Sequence, residues 1–208
     1  MCVSCATLIL IYSVGIVLAF TIPRVPGFAF NTQTPLGNST LENAPAPVFG
    51  TFPANFTFYS SIDVEINTNS NFLPLHFNSW RSEIYELNTG KKIATGDWGS
   101  YTLPAKKYTR IILPVTFNYT AANTTDLTWA NIYNSCRNKN QSVDNTRPGM
   151  FFYPDCVAKA SHLTEFPLLG MDLTVILYMS IAGLINQAAA SQTLTSVPCP
   201  FELATNAS

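Results

Sequence analysis

The chain has 208 residues and a formal net charge of −1 at pH 7, and 11% of its residues are charged, against about 25% in ordinary soluble domains. That length suits one well-packed domain plus a targeting segment and is small for two. The charge balance leaves no electrostatic argument for nucleic acid, and Asn, Thr and Ser in place of charges suit an extracytoplasmic surface.

Val3 to Ile22 is uncharged and apolar apart from Tyr12 and small or hydroxylated residues, and it ends at Pro23-Arg24. As a helix it is long enough for ~30 Å of hydrocarbon. Two readings compete: an uncleaved signal anchor over 1–22, and a signal peptide cut after Ala19 behind Val17-Leu18-Ala19. Cys2-Val3-Ser4-Cys5 is formally a CxxC, but no second ligand pair has metal spacing, so no metal and no cofactor are expected. Juxtamembrane thiols suit palmitoylation or stay free.

Residues 23–53 are rich in Pro, Asn, Thr and Gly and hold the sequon at Asn38; they read as a stalk or extended lead-in whose aromatics dock on the domain. The domain itself is expected over 54–200, with a tail over 201–208. Its opening stretch, Asn55 to Asn67, alternates. Phe56, Phe58, Ser60, Ile62, Val64 and Ile66 fall on one face, with Thr57, Tyr59, Ser61, Asp63 and Glu65 on the other. That is a strand with one buried and one wet face. The sequon at Asn55 lies on the wet face, and a glycan there would place this face in a secretory lumen or outside the cell.

Leu73 to Phe77 alternates next. Ser82 to Leu87 and Lys92 to Gly96 flank Asn88-Thr89-Gly90-Lys91, a hairpin signal. The lysine pairs at Lys91-Lys92 and Lys106-Lys107 read as solvated turn residues or as a patch for acidic head groups. Tyr108 to Tyr119 is a second strong strand. Leu113, Val115, Phe117 and Tyr119 make one face, and Pro114 marks an edge, a bulge or a ladder position that needs no donor. The sequon at Asn118 again lies on the polar face, and Asn123 and Asn140 carry further sequons. Spacings of three and four among Leu127, Trp129, Ala130 and Tyr133 give a short helix capped by Thr125 or Asp126 and ending near Cys136. Leu168 to Ile185 reads as a strand, with a second membrane span as the competing reading. Gln192 to Cys199 is the last strand. The fold class is therefore mainly β, an immunoglobulin- or fibronectin-like β-sandwich with one short helix, preceded by an N-terminal transmembrane helix.

Asn67 to Asn71, Leu73-Pro74-Leu75, Ile84-Tyr85, the turn at Gly90, Ala94-Thr95-Gly96 and Leu103-Pro104-Ala105 before the strand Ile111 to Tyr119 resemble the late embryogenesis abundant group 2 domain, also called the WHy domain. The layout, including Trp129-Ala130-Asn131, is similar to uncharacterised fungal membrane proteins of this type and to vacuolar and lysosomal type II members. The animal members join a cysteine after the helix to one at the chain end, so the resemblance implies a disulfide between Cys136 and Cys199, leaving Cys156 without an evident partner. The chain departs from the family pattern between Gly149 and Leu169.

Enzyme readings find no Gly-x-Ser-x-Gly elbow and no phosphate-binding glycine loop. His76 reads as a surface strand residue, and Asp63 with Glu65 as a solvent-facing pair, so no catalytic residues are expected. Two functional classes remain. The resemblance implies lipid binding or transfer in a groove, with Phe56, Phe58, Ile62, Val64, Leu113, Val115 and Phe117 as its lining and Phe56 and Phe58 at the mouth. The alternative is a non-enzymatic interaction or tethering module that meets another membrane or surface protein at the vacuole, endosome or cell surface.

Overall fold

The computed structural model describes residues 2–31, 34–38, 48–51, 53–136 and 170–200. The elements in chain order are α1 (Cys2–Thr21), β1 (Gly27–Phe30), β2 (Leu36–Asn38), β3 (Val48–Thr51), β4 (Ala54–Asn67), β5 (Leu75–Glu86), β6 (Lys92–Trp98), β7 (Tyr101–Leu103), β8 (Tyr108–Thr120), α2 (Leu127–Cys136), β9 (Met171–Ile181) and β10 (Ala188–Val197). Every described strand pair is antiparallel, in the order β1-β4-β8-β6-β5-β9-β10. The sheet curls until it is nearly closed, a mainly β, sandwich-like architecture around one core.

The alternating stretches build it. In β4 the even residues Phe56 to Ile66 are buried; in β8 the odd residues Ile111 to Phe117; in β9 the odd residues Met171 to Ile181. The competing reading of the last stretch as a membrane span is thereby corrected: Asp172 faces outward on a strand and accepts the Ser196 N–H at 2.9 Å. Leu73 to Phe77 and Ser82 to Leu87 merge into the single strand β5.

Two expectations change. The lead-in over 23–53 supplies β1, β2 and β3, all laid along the edge of β4 that β8 leaves free, so it belongs to the sheet rather than to a stalk. That cover buries part of the expected wet face of β4: Ser61 and Asp63 are enclosed while Glu65 stays exposed. Of the three readings of Pro114, the ladder position that needs no donor holds. β8 lies between β4 and β6, but the β6 ladder stops at Thr95↔Thr116, just short of the residue that lacks a donor. Beside it, a Cβ on Gly96 would run into the Pro114 carbonyl, so this close approach of two backbones requires glycine.

The hairpin forms where Asn88-Thr89-Gly90 placed it, with Gly90 in the left-handed region at φ +65°. Asp126 caps α2, accepting the N–H groups of Thr128 (2.9 Å) and Trp129 (3.2 Å). The buried stripe of α2 is Thr128, Ile132, Tyr133 and Cys136; Leu127 is exposed, so the expected face is rotated by about one residue.

α1 runs 20 residues without a charge. Its side chains are described at Cys5 and from Thr7 onward, and all of these are exposed. Among the described residues no helix is long and apolar enough to cross a membrane.

Candidate functional site

The seven groove residues sit side by side in one wall. Register pairs Phe58 with Phe117, Ser60 with Val115 and Ile62 with Leu113 on adjacent strands β4 and β8. They therefore form one wall and do not face one another across a groove. All seven are buried, Phe56, Ile62 and Val64 completely. Phe58 stacks on Phe117 with ring centroids 4.5 Å apart, and Phe56 lies 5.9 Å from Trp129 of α2. Helix α2 covers the place where a mouth was expected.

Where β6 and β8 part after Thr95↔Thr116, a shallow notch lined by Trp80, Ser82, Gly96, Trp98, Leu113 and Leu177 has no room inside for a water molecule. Among the described residues, the buried Trp80 indole N–H there has no hydrogen-bond partner.

The two ends of the sandwich differ. The distal end is tied shut. Glu86, almost wholly buried at the end of β5, accepts the backbone N–H groups of Asn88 (3.2 Å) and Thr89 (2.8 Å), the Thr89 hydroxyl (2.6 Å) and the side-chain amides of Asn88 (3.0 Å) and Asn131 (3.2 Å). Burial pushes its carboxyl up, but the bonds from Thr89 and Asn88 outweigh that and hold it below the ordinary carboxylate range. Thr89 and Thr128 share a 2.7 Å hydroxyl contact that joins the hairpin to α2. Asp126 is likewise held low: burial raises it, and the bonds from Ala122, Tyr119, Trp129 and Thr128 more than compensate. The disulfide between Cys136 and Cys199, with Cα atoms 5.4 Å apart, ties the last residue of α2 to the chain beyond β10. Its pairing is the one the resemblance implied.

On the flank of β4, Asp63 is not a solvent-facing carboxylate. Arg110 binds it in a forked pair, through Nε at 2.7 Å and through Nη2, and the Asn31 amide donates to it at 3.1 Å. The Arg110 hydrogen bond, against the cost of burial, lowers its pKa. His76 is exposed on β5 with Nδ1 2.8 Å from the Thr102 hydroxyl. Among the described residues no group of acidic, histidine and cysteine side chains is arranged to hold a metal ion.

Of the glycosylation candidates, Asn118 and Asn123 are exposed, and Asn55 is half-buried with its amide donating to the Pro53 carbonyl at 2.9 Å. Asn55 and Asn118 lie on the same outer face of the sheet, on pairs Asn55↔Thr120 and Thr57↔Asn118. Asn38 ends β2, and its side chain lies outside the described residues, as do Asn140, Cys156 and the segment 150–168.

The other end is the one α1 enters. Asn71, buried, clamps the linker after α1 at two points: its carbonyl accepts the Arg24 N–H (2.7 Å) and its amide donates to the Arg24 carbonyl (3.0 Å). Phe20 of α1 packs edge-on against Phe72 at 4.4 Å, and the Lys106 ammonium sits 3.7 Å from the centre of the same ring. The fully buried Thr68 fixes the loop that carries Lys106: its hydroxyl lies 2.7 Å from the Pro104 carbonyl and accepts the Lys107 N–H at 3.1 Å. Neither Asn71 nor Thr68 stood out in the sequence. The one signal was that both lie in the polar run Asn67 to Asn71, which entered only through the resemblance.

No protein-family model matches the chain, and no curated protein matches it. Among solved structures, the chain is similar to a protein from Archaeoglobus fulgidus known from a crystal structure. The identity is 10%, over 83% of this chain and 95% of that one, with a TM-score of 0.30, a likeness that carries no argument about fold or function.

Proposed function

We propose that the chain is a membrane-anchored, glycosylated interaction module without enzymatic activity. In this reading α1 lies in the bilayer and the sandwich projects on the extracytoplasmic side of the vacuolar, endosomal or surface membrane. In this reading the sandwich is of the immunoglobulin-like WHy type. The observation that supports the anchor is α1 itself. Leu8, Leu10, Ile11, Val14, Val17 and Leu18 all stand exposed around its circumference, with no polar face. The helix meets the sandwich through Phe20, in its last turn. A helix apolar all round and left uncovered costs free energy in water and gains it in hydrocarbon.

The test is extraction of the full chain from its membranes with alkaline carbonate. Retention in the pellet supports the anchor. Release with glycans intact favours cleavage after Ala19 and removes the anchor from the mature protein.

Lipid binding is the second reading, and one feature favours a place for it. The seam between β6 and β8 is where the ladder already ends and where the Trp80 indole N–H is unpartnered. An apolar ligand would enter there by parting Gly96 from Pro114, not between the seven candidates of β4 and β8. A lipid extract of the purified chain, compared with a mock purification, tests it: no enriched lipid removes this reading.

A further inference from the structure

Four segments form the end of the sandwich that receives α1: residues 22–26, 68–74, 104–108 and 182–187. Register places them together. Asn67 pairs with Tyr108 and with Gly27, Leu75 with Leu103, and Phe77 with Ile181, so all the intervening turns project from one end. These segments contain no Asp or Glu, but they contain Arg24, Lys106 and Lys107, all exposed. They also expose a ring of large apolar side chains: Ile22, Val25, Phe72, Leu73, Tyr108 and Ile185. Leu73 is 51% exposed and Ile185 has no cover at all. Singly such residues are ordinary; grouped around a helix exit they are not.

We infer that this end is a docking face for the surface of the chain's own bilayer, a reading that rests on α1 as the anchor. Leu73, Phe72, Tyr108 and Ile185 enter the headgroup layer, where apolar and aromatic side chains at the rim of a span are favoured. Arg24, Lys106 and Lys107 pair with lipid phosphates and lay their apolar stems along the same layer. The face is preformed. Asn71 fixes the Arg24 peptide, Thr68 holds Lys106 in a left-handed conformation at φ +57°, and Pro23 packs against Gly183. With the lead-in built into the sheet as β1 to β3, α1 is joined to β1 by only the short stretch 22–26, too short for a free stalk. The sandwich therefore sits flush on the membrane, and the opposite end, with α2 and the hairpin, is held outward for partners.

The test uses the full chain reconstituted in phosphatidylcholine vesicles with and without phosphatidylserine, in a background with Cys2, Cys5 and Cys156 replaced by Ser. An environment-sensitive fluorophore is placed at Ile185→Cys or, as the distal control, at Asn88→Cys. The expected result is a blue shift and several-fold stronger quenching by headgroup-proximal spin-labelled lipid at 185 than at 88. The quenching rises with phosphatidylserine, falls with salt, and is reduced by the pair Lys106→Glu and Lys107→Glu. A chain that resists carbonate but shows equal, weak quenching at both positions overturns the docking face alone. A chain released by carbonate overturns the anchor and the docking face with it.

Discussion

Phe58→Ala separates a packed core from a ligand groove. The Phe58 ring is 2% exposed, stacked on Phe117 at 4.5 Å and 5.7 Å from Phe56, on a strand flanked by β8 on one side and by β2 and β3 on the other. Its removal takes away the transfer free energy of a ring and leaves a void that the paired strands cannot close. Such changes cost about 3–5 kcal/mol. At roughly 2–4 °C of melting temperature per kcal/mol for a domain of this size, the loss is on the order of 10 °C. Thermal unfolding of the purified full chain in micelles, followed by circular dichroism, reads it directly. Phe58→Leu, which keeps most of the volume, should recover much of the loss. A melting temperature for Phe58→Ala within two or three degrees (roughly 1 kcal/mol) of the unmodified chain would refute the packing argument. It would mean that the ring lines space already open, as the groove reading required.

Three further outcomes follow from the disulfide and the buried carboxylates. Cys199→Ser opens a closed loop of 63 residues and should cost up to about 4 kcal/mol by loop-closure entropy; unreduced peptide mapping of the native chain should recover the Cys136–Cys199 pair and none that includes Cys156. Glu86→Gln keeps the shape but sets an amide against the N–H donors of Asn88 and Thr89, at about 2–3 kcal/mol, read as a lower urea midpoint. Asp63, Glu86 and Asp126 all have folded pKa values below their ordinary ones, so their contribution is complete above the unfolded value near pH 4 and is lost as pH falls through the folded values. Unfolding midpoints should therefore be flat from pH 7 to about pH 5 and drop below pH 4, with the drop reduced in Glu86→Gln.

Local pattern made β4, β8, β9, the hairpin at Gly90 and the existence of α2 legible, because period two, period 3.6 and turn chemistry are short-range signals. It told which residues share a face, and the burial of Phe56 to Ile66 and Leu113 to Phe117 follows it. It could not tell which strands are neighbours. β4 and β8 are adjacent although their paired residues Ile62 and Leu113 lie far apart in sequence. The same limit hid the covering of Asp63, whose polar position is buried by Asn31 and Arg110 brought from elsewhere. In 23–53 the strands are three or four residues long, too short for alternation to register, and they form because β4 offers a free edge. The docking face was legible only as scattered turn residues, and pairing register alone gathers them.

The central claim is that α1 holds an extracytoplasmic sandwich to a membrane, and protease protection of glycosylated chain in sealed vesicles tests it most directly. With the exoplasmic side enclosed, the account predicts that added protease leaves the sandwich intact until detergent opens the vesicle, and that endoglycosidase then increases the gel mobility of the protected fragment through loss of glycans at Asn118 and Asn123. Digestion of the sandwich in sealed vesicles, with no mobility change on endoglycosidase treatment, would put the domain on the cytoplasmic side and contradict the account.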